Sequence, residues 1–252
     1  MIGESGIVLR RRSALEQIDL AVVLLRADWR RIFVATLPAW ALAAAISAAG
    51  WWLHPWLGVF VGVLLARPAQ VPALLAASDR VSGRTPDVSF SRTLSASLSV
   101  IGNALVNLVL AALSTIVFVG PPIFWIRWTF APEVLVLERP EAAARTRIGD
   151  LSTHGLGEAI SARVWQLAIE AWALVSFAMA GELLLHEVLQ LGHPFGSWSD
   201  GDPTPFYVLG ALAVQPLLSI VRFCAYLELR TQREGLDAWF AVYSASIEEG
   251  TR

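Results

Sequence analysis

The chain has 252 residues, 56% of them hydrophobic and 16% charged, with a mean hydropathy of +0.57. Soluble domains run to about 25% charged, so this composition excludes an ordinary soluble domain. It leaves an integral membrane protein with room for six spans of roughly 20 residues. A formal net charge of −2 carries no nucleic-acid signal, and a single cysteine, Cys224, excludes an intramolecular disulfide and a cysteine-rich metal cluster.

Arg10, Arg11 and Arg12 open the basic N-terminal segment. The apolar stretch that follows starts too late and runs too long for a secretory h-region, so the segment is expected to be retained. Ser13 and Glu16 have the capping-box spacing, and a helix is predicted over 13–30. Leu15, Ile18, Val22, Leu25 and Trp29 recur at three- and four-residue intervals, which predicts an amphipathic helix lying at the interface or beneath a bundle.

Span one is expected over 32–50. It ends in Trp51, Trp52, His54, Pro55 and Trp56, an aromatic cluster suited to the headgroup level. Span two, 56–78, must run on through Arg67-Pro68 and Pro72 as a kinked helix, because stopping at Ala66 leaves too few apolar residues to cross. Gly58 and Gly62 give it a GxxxG face for close helix contact. After a polar loop holding Asp79, Arg80, Arg84, Asp87 and Arg92, span three is expected over 94–119, followed by a turn at Gly120-Pro121-Pro122. Span four, 123–137, is short and carries Arg127 and Glu133. Spans five and six are expected over 162–189 and 205–229, with Thr204 and Pro205 as N-cap and first helical residue of the last.

The reading is therefore an all-α bundle of about six transmembrane helices behind an N-terminal amphipathic helix, with 230–252 as a tail. Arginines fall in the N-terminal segment, the 79–92 loop, the 138–163 segment and the tail, and are missing from the Trp51 turn, the Pro121 turn and the Gly192 to Pro203 loop. The positive-inside rule then predicts cytoplasmic termini.

Two segments bear a family resemblance. One is Gly120-Pro121-Pro122, Arg127, Ala131-Pro132-Glu133-Val134-Leu135-Val136-Leu137-Glu138 and the run from Ala142 to Arg147. The other runs from Arg222 through Tyr226, Glu228, Arg230 and Arg233-Glu234-Gly235 to Asp237. Together they resemble uncharacterised bacterial six-span proteins similar to the membrane domain attached to glycerophosphoryl diester phosphodiesterases. The resemblance implies a bacterial cytoplasmic membrane location and an accessory or scaffold role in an envelope system. The chain carries nothing like the phosphodiesterase catalytic domain, so hydrolysis does not follow from it.

Ionisable residues inside spans are costly and are kept where they pair or meet water. That singles out Arg67, Arg127, Glu133, Glu170, Glu182 and Arg222. Arg67, Glu133 and Glu170 are expected near mid-membrane, Arg127 and Glu182 toward the outer side, and Arg222 toward the inner side near Glu138. Two readings of them stay open: salt bridges that fix helix register, and a polar cavity for a lipid headgroup or ion. A transporter or channel-like subunit needs a continuous polar path through Arg67, Glu133 and Glu170.

Arg230, Arg233, Glu234 and Asp237, with Trp239, Phe240 and Tyr243 behind them, are candidates for docking a cytoplasmic protein, although Gly235 also reads as a plain helix stop. His186-Glu187 begins like a zinc-protease helix, but Gln190 stands where the second histidine belongs, so no metal is expected. No nucleophile motif, Walker loop or dinucleotide fingerprint occurs. The sequence therefore predicts a non-enzymatic protein with no cofactor, with membrane lipid as its partner and a second membrane or cytoplasmic protein, or a second copy of itself, as further candidates.

Overall fold

The computed structural model describes residues 13–114, 126, 129–138, 144–154 and 156–235. Arg10 to Arg12, the end of span three, the Pro121 turn, Arg127 and Asp237 with the aromatic residues after it lie outside the described residues. Helices make up the architecture, with no strand among the described residues.

Helix α1, Ala14–Ala27, starts where the capping box predicts. The Ser13 backbone N–H donates to Glu16 Oε2 at 2.9 Å and the Glu16 N–H to Ser13 Oγ at 3.3 Å. Its buried face differs from the expected stripe. Ala21 and Leu24 are buried and Ile18 and Leu25 half-buried, whereas Leu15 and Val22 point outward. Helix periodicity fits either stripe, and α1 meets the bundle through the one that also lets Gln17 Nε2 donate to Glu228 at 2.7 Å.

Among the described residues, four stretches are long and apolar enough to cross a membrane: Trp29–Leu53, Pro55–Val81, Ala159–Val188 and Pro205–Thr231. Helix α2 is Trp29–Leu53. The second stretch is broken: α3, Pro55–Leu65, gives way to a 3₁₀ turn at Arg67–Ala69, and α4, Gln70–Val81, resumes. Pro68 and Pro72 lack the N–H groups that would continue an unbroken ladder, which accounts for the break.

Helix α5, Phe90–Ser114, occupies the place of span three, but Ser91, Arg92, Thr93, Ser95, Ser97 and Ser99 make its first turns polar. Where span four is expected, the described chain is a short turn, Ala131–Glu133, running into a π-helical turn, Val134–Glu138. Helix α6 is Ala144–His154 and α7 is Leu156–Leu183, which ends in a second π-turn, Leu184–Val188. Helix α8, Pro205–Glu234, has Thr204 at its extended N-cap and closes on Gly235 in the left-handed region at φ +60°. The Thr204 hydroxyl itself makes no cap bond.

Burial separates the helices by role. Of the most apolar windows, 83% of the α8 window is buried but only 17% of the α7 window, and Trp172 on α7 is 72% exposed. Helix α8 is therefore the axis, packed on by α1, α3, α4 and α7, while α7 and α2 turn broad apolar faces outward. In lipid such faces need no protein cover, and helix association rests on close packing and interhelical hydrogen bonds.

The GxxxG face supplies the close packing. A Cβ on Gly58 would stand 2.8 Å from Ser47 O and Trp51 N, and one on Gly62 would stand 2.7 Å from the Val208 methyls. Ser47 Oγ donates to Gly58 O at 2.8 Å across this contact.

One end of the bundle gathers its charged pairs. Arg80 Nε reaches Asp28 Oδ2 at 2.6 Å, Arg92 Nη1 reaches Asp79 Oδ2 at 2.7 Å, and Arg147 Nε reaches Glu138 Oε2 at 3.0 Å. The Asp79 hydrogen bonds hold the Arg92 guanidinium above its ordinary value, against the opposing effect of burial.

Candidate functional site

Gln215, Ser219, Arg222 and Tyr226 follow one another at four, three and four residues along α8, which puts them on one face of a helix. That face looks toward the broken helix α3–α4 and toward the short turn carrying Glu133. The result is a continuous buried polar track. Arg222 Nε donates to Glu133 Oε1 at 2.5 Å and its Nη2 donates to Gln70 Oε1 at 2.8 Å. The Gln70 amide in turn donates to Gln215 Oε1, and Gln215 Nε2 donates to Glu170 Oε1 at 3.3 Å. Ser219 Oγ donates to Gln70 O at 2.9 Å, pinning the backbone just beyond the break.

Both members of the central ion pair are removed from solvent, with side-chain exposures of 3% for Arg222 and 0% for Glu133. Glu133 Oε2 has no hydrogen-bond partner among the described residues. On α7 a second polar stripe, Arg163, Gln166 and Glu170, follows at three and four residues. Arg163 Nε donates to Thr129 Oγ1 at 3.2 Å and Nη1 to Gln166 Oε1 at 2.9 Å.

Arg67 is the first residue of the 3₁₀ turn and lies three positions before Gln70, so the two share a face. It is half-buried and within electrostatic range of Glu170 and Arg222. Among the described residues its guanidinium has neither a hydrogen bond nor an ion pair. The break is what places a half-buried guanidinium beside this track with no partner in contact among the described residues.

Of the six intramembrane charges singled out in the sequence, the fold gathers Arg67, Glu133, Glu170 and Arg222 into this group. Arg222 is expected toward the inner side near Glu138 and Glu133 near mid-membrane; the structure pairs Arg222 with Glu133. Glu138 instead accepts from the Tyr226 hydroxyl and from Arg147, with Arg230 Nη1 3.6 Å away. One helical turn separates Arg222 from Tyr226, and depth assigned along a sequence does not resolve which of two glutamates faces which turn.

Glu182 stands apart, 12 residues or about 18 Å along the helix from Glu170. It accepts from Ser197 Oγ at 2.8 Å and from the Trp198 N–H at 3.1 Å, and His193 Nδ1 lies 3.1 Å from it. It ties the 189–204 loop to the end of α7. Gly196, at φ +81°, completes that loop, since a Cβ there would lie 2.6 Å from Asp202 Cβ.

Arg127 lies outside the described residues, as does Asp237. Arg230 turns inward, its guanidinium 5.8 Å from the Tyr226 ring centroid and Nη1 3.3 Å from the hydroxyl. Arg233 and Glu234 belong to the last turn of α8.

Gln70, Gln215, Ser219 and Arg163 were not foreseen as site residues. The Gln215, Ser219, Arg222, Tyr226 spacing was the available signal for two of these, Gln215 and Ser219, whereas Arg163 sits in an arginine-bearing segment that reads as interfacial. Among the described residues no group of three or more His, Cys, Asp or Glu is placed to hold a metal.

No protein-family model, curated protein or solved structure matches the chain.

Proposed function

We propose that this chain is a non-enzymatic, multi-pass protein of a bacterial cytoplasmic membrane that holds the polar headgroup of a membrane lipid at Arg67, as an accessory component of an envelope system. The observation that carries the reading is the Arg67 guanidinium at a helix break, without a contact partner among the described residues, beside a track whose other members bond one another. A charge in hydrocarbon is costly and marks a pathway or a binding group when nothing in the protein answers it. The six-span topology, with α5 and the segment around Glu133 as the two further spans and both termini cytoplasmic, belongs to this proposal, as does the resemblance to phosphodiesterase membrane domains. Register-fixing pairs account for Arg222 and Glu133 but leave Arg67 unexplained.

Lipid retention tests it. Native mass spectrometry of the detergent-purified protein is expected to show bound phospholipid on the wild type and loss of it from Arg67→Leu at unchanged folded yield. Equal retention by both would remove Arg67 from the site.

A second reading, a transporter or channel-like subunit, is favoured by the interrupted helix α3–α4, because discontinuous spanning helices recur at substrate sites near the bilayer midplane. It requires solute flux in proteoliposomes that Arg67→Leu and Glu170→Gln reduce.

A further inference from the structure

Arg67 and Glu170 carry opposite charges, face a common interior and feel one another electrostatically. Yet among the described residues they form no ion pair. Each is otherwise only lightly engaged. Glu170 Oε1 takes the long 3.3 Å bond from Gln215, its Oε2 takes no bond among the described residues, and Arg67 makes none. Both are half-buried, whereas the neighbouring Arg222 and Glu133 are closed off and bonded directly to one another.

Arg67 opens the 3₁₀ turn and is followed by Pro68, and Glu170 on α7 is joined to the same segment through Gln215 and Gln70, whose side-chain amides bond one another. A ligand with a single charge would engage one of the two groups and leave the other's free polar atoms without a contact.

We infer that the site takes a zwitterionic phosphate-and-ammonium headgroup, with the phosphate on Arg67 and a primary ammonium on the free oxygen of Glu170. A planar guanidinium suits phosphate oxygens bidentately, and a primary ammonium has N–H donors for the carboxylate. Phosphoethanolamine has both groups on a short link. Phosphatidylglycerol lacks the cation, and phosphatidylcholine has a cation without N–H donors. This inference rests on the lipid-holding reading and narrows its ligand.

The test is competition by native mass spectrometry of the full chain, in detergent supplied with equimolar phosphatidylethanolamine, phosphatidylglycerol and phosphatidylcholine. The wild type is expected to retain phosphatidylethanolamine about tenfold over either of the others, the scale of one charge-assisted hydrogen bond. Glu170→Gln, which keeps the size of the side chain and an acceptor for Gln215, is expected to lose that preference while still retaining phospholipid. Arg67→Gln is expected to lower retention of all three lipids.

Equal or greater retention of phosphatidylglycerol by the wild type overturns the zwitterion inference and leaves the lipid-holding reading standing. Retention of no lipid overturns both. Soluble phosphoethanolamine separates the two sources of the headgroup chemistry. Displacement of the lipid by it supports recognition of the headgroup alone, and failure to displace supports recognition of a membrane-anchored headgroup. Because the wild-type preference is read without any mutation, misfolding of a variant does not blunt the test.

Discussion

Arg222 and Glu133 are the most deeply buried charges described, and they bond one another directly. Breaking such a pair from one side leaves an uncompensated charge and costs about 3–5 kcal/mol, whereas replacing the pair as a unit costs far less. Arg222→Leu is therefore expected to destabilise the protein strongly in a detergent unfolding assay. The double variant Arg222→Leu with Glu133→Leu is expected to recover most of that loss. Additive losses would mean that the pair is not the unit of stabilisation. Arg67 should behave in the opposite way: with no partner in contact, Arg67→Leu removes a solitary charge and leaves thermal stability unchanged or raised. A large loss of stability would assign Arg67 to structure rather than to a ligand. Both residues were visible in the sequence as arginines in apolar runs, but which of them is answered by a carboxylate was not, because that depends on how α8 is rotated.

At the scale of elements, the GxxxG face is where chain geometry is least forgiving. Gly58→Ala drives a Cβ to within 2.8–2.9 Å of backbone atoms of Ser47 and Trp51, atoms that cannot swing aside. Overpacking of this kind costs about 1–3 kcal/mol. Gly102→Ala on α5 meets no atom within 4 Å, and is expected to be neutral or to stabilise by up to ~1 kcal/mol through helix propensity. Unfolding midpoints of the two variants check the contrast, and equal effects would sink the close-packing account.

The broken helix is the other element that sets the site. Its prolines announced a kink, but the 3₁₀ turn and its alignment with Gln215 and Ser219 follow from what α8 offers across the interface. The two π-turns, at Val134–Glu138 and Leu184–Val188, had no sequence signal. They are accommodations of backbone register to packing, not propensities of the residues that adopt them.

At the scale of the whole molecule, the charged pairs of Asp28, Asp79 and Glu138 collect at one end of the bundle, and the loop tied down by Glu182 lies at the other. The proposed orientation puts the first end in the cytoplasm. In a Cys224→Ala background, Ser199→Cys in the 189–204 loop is expected to react with a membrane-impermeant maleimide in intact cells. Ser82→Cys is expected to react only after permeabilisation. Both positions are exposed, so labelling reports sidedness rather than burial. The reverse pattern would invert the topology and place the docking candidates of the C-terminal segment outside.

What the sequence determined by itself was the solvent: its apolar runs and scarcity of charge suit lipid, and local rules placed the Ser13 capping box, the Gly235 stop and the kink at Pro68. These are decided by neighbours along the chain, within a helical turn. Tertiary structure alone decided which stripe of α1 is buried, that α8 is the axis while α7 faces outward, and that Arg222 meets Glu133 rather than Glu138. Helix rotation is the physical reason, since an apolar helix in lipid has no single hydrophobic face to fix its orientation, and hydrogen bonds between distant residues set it instead.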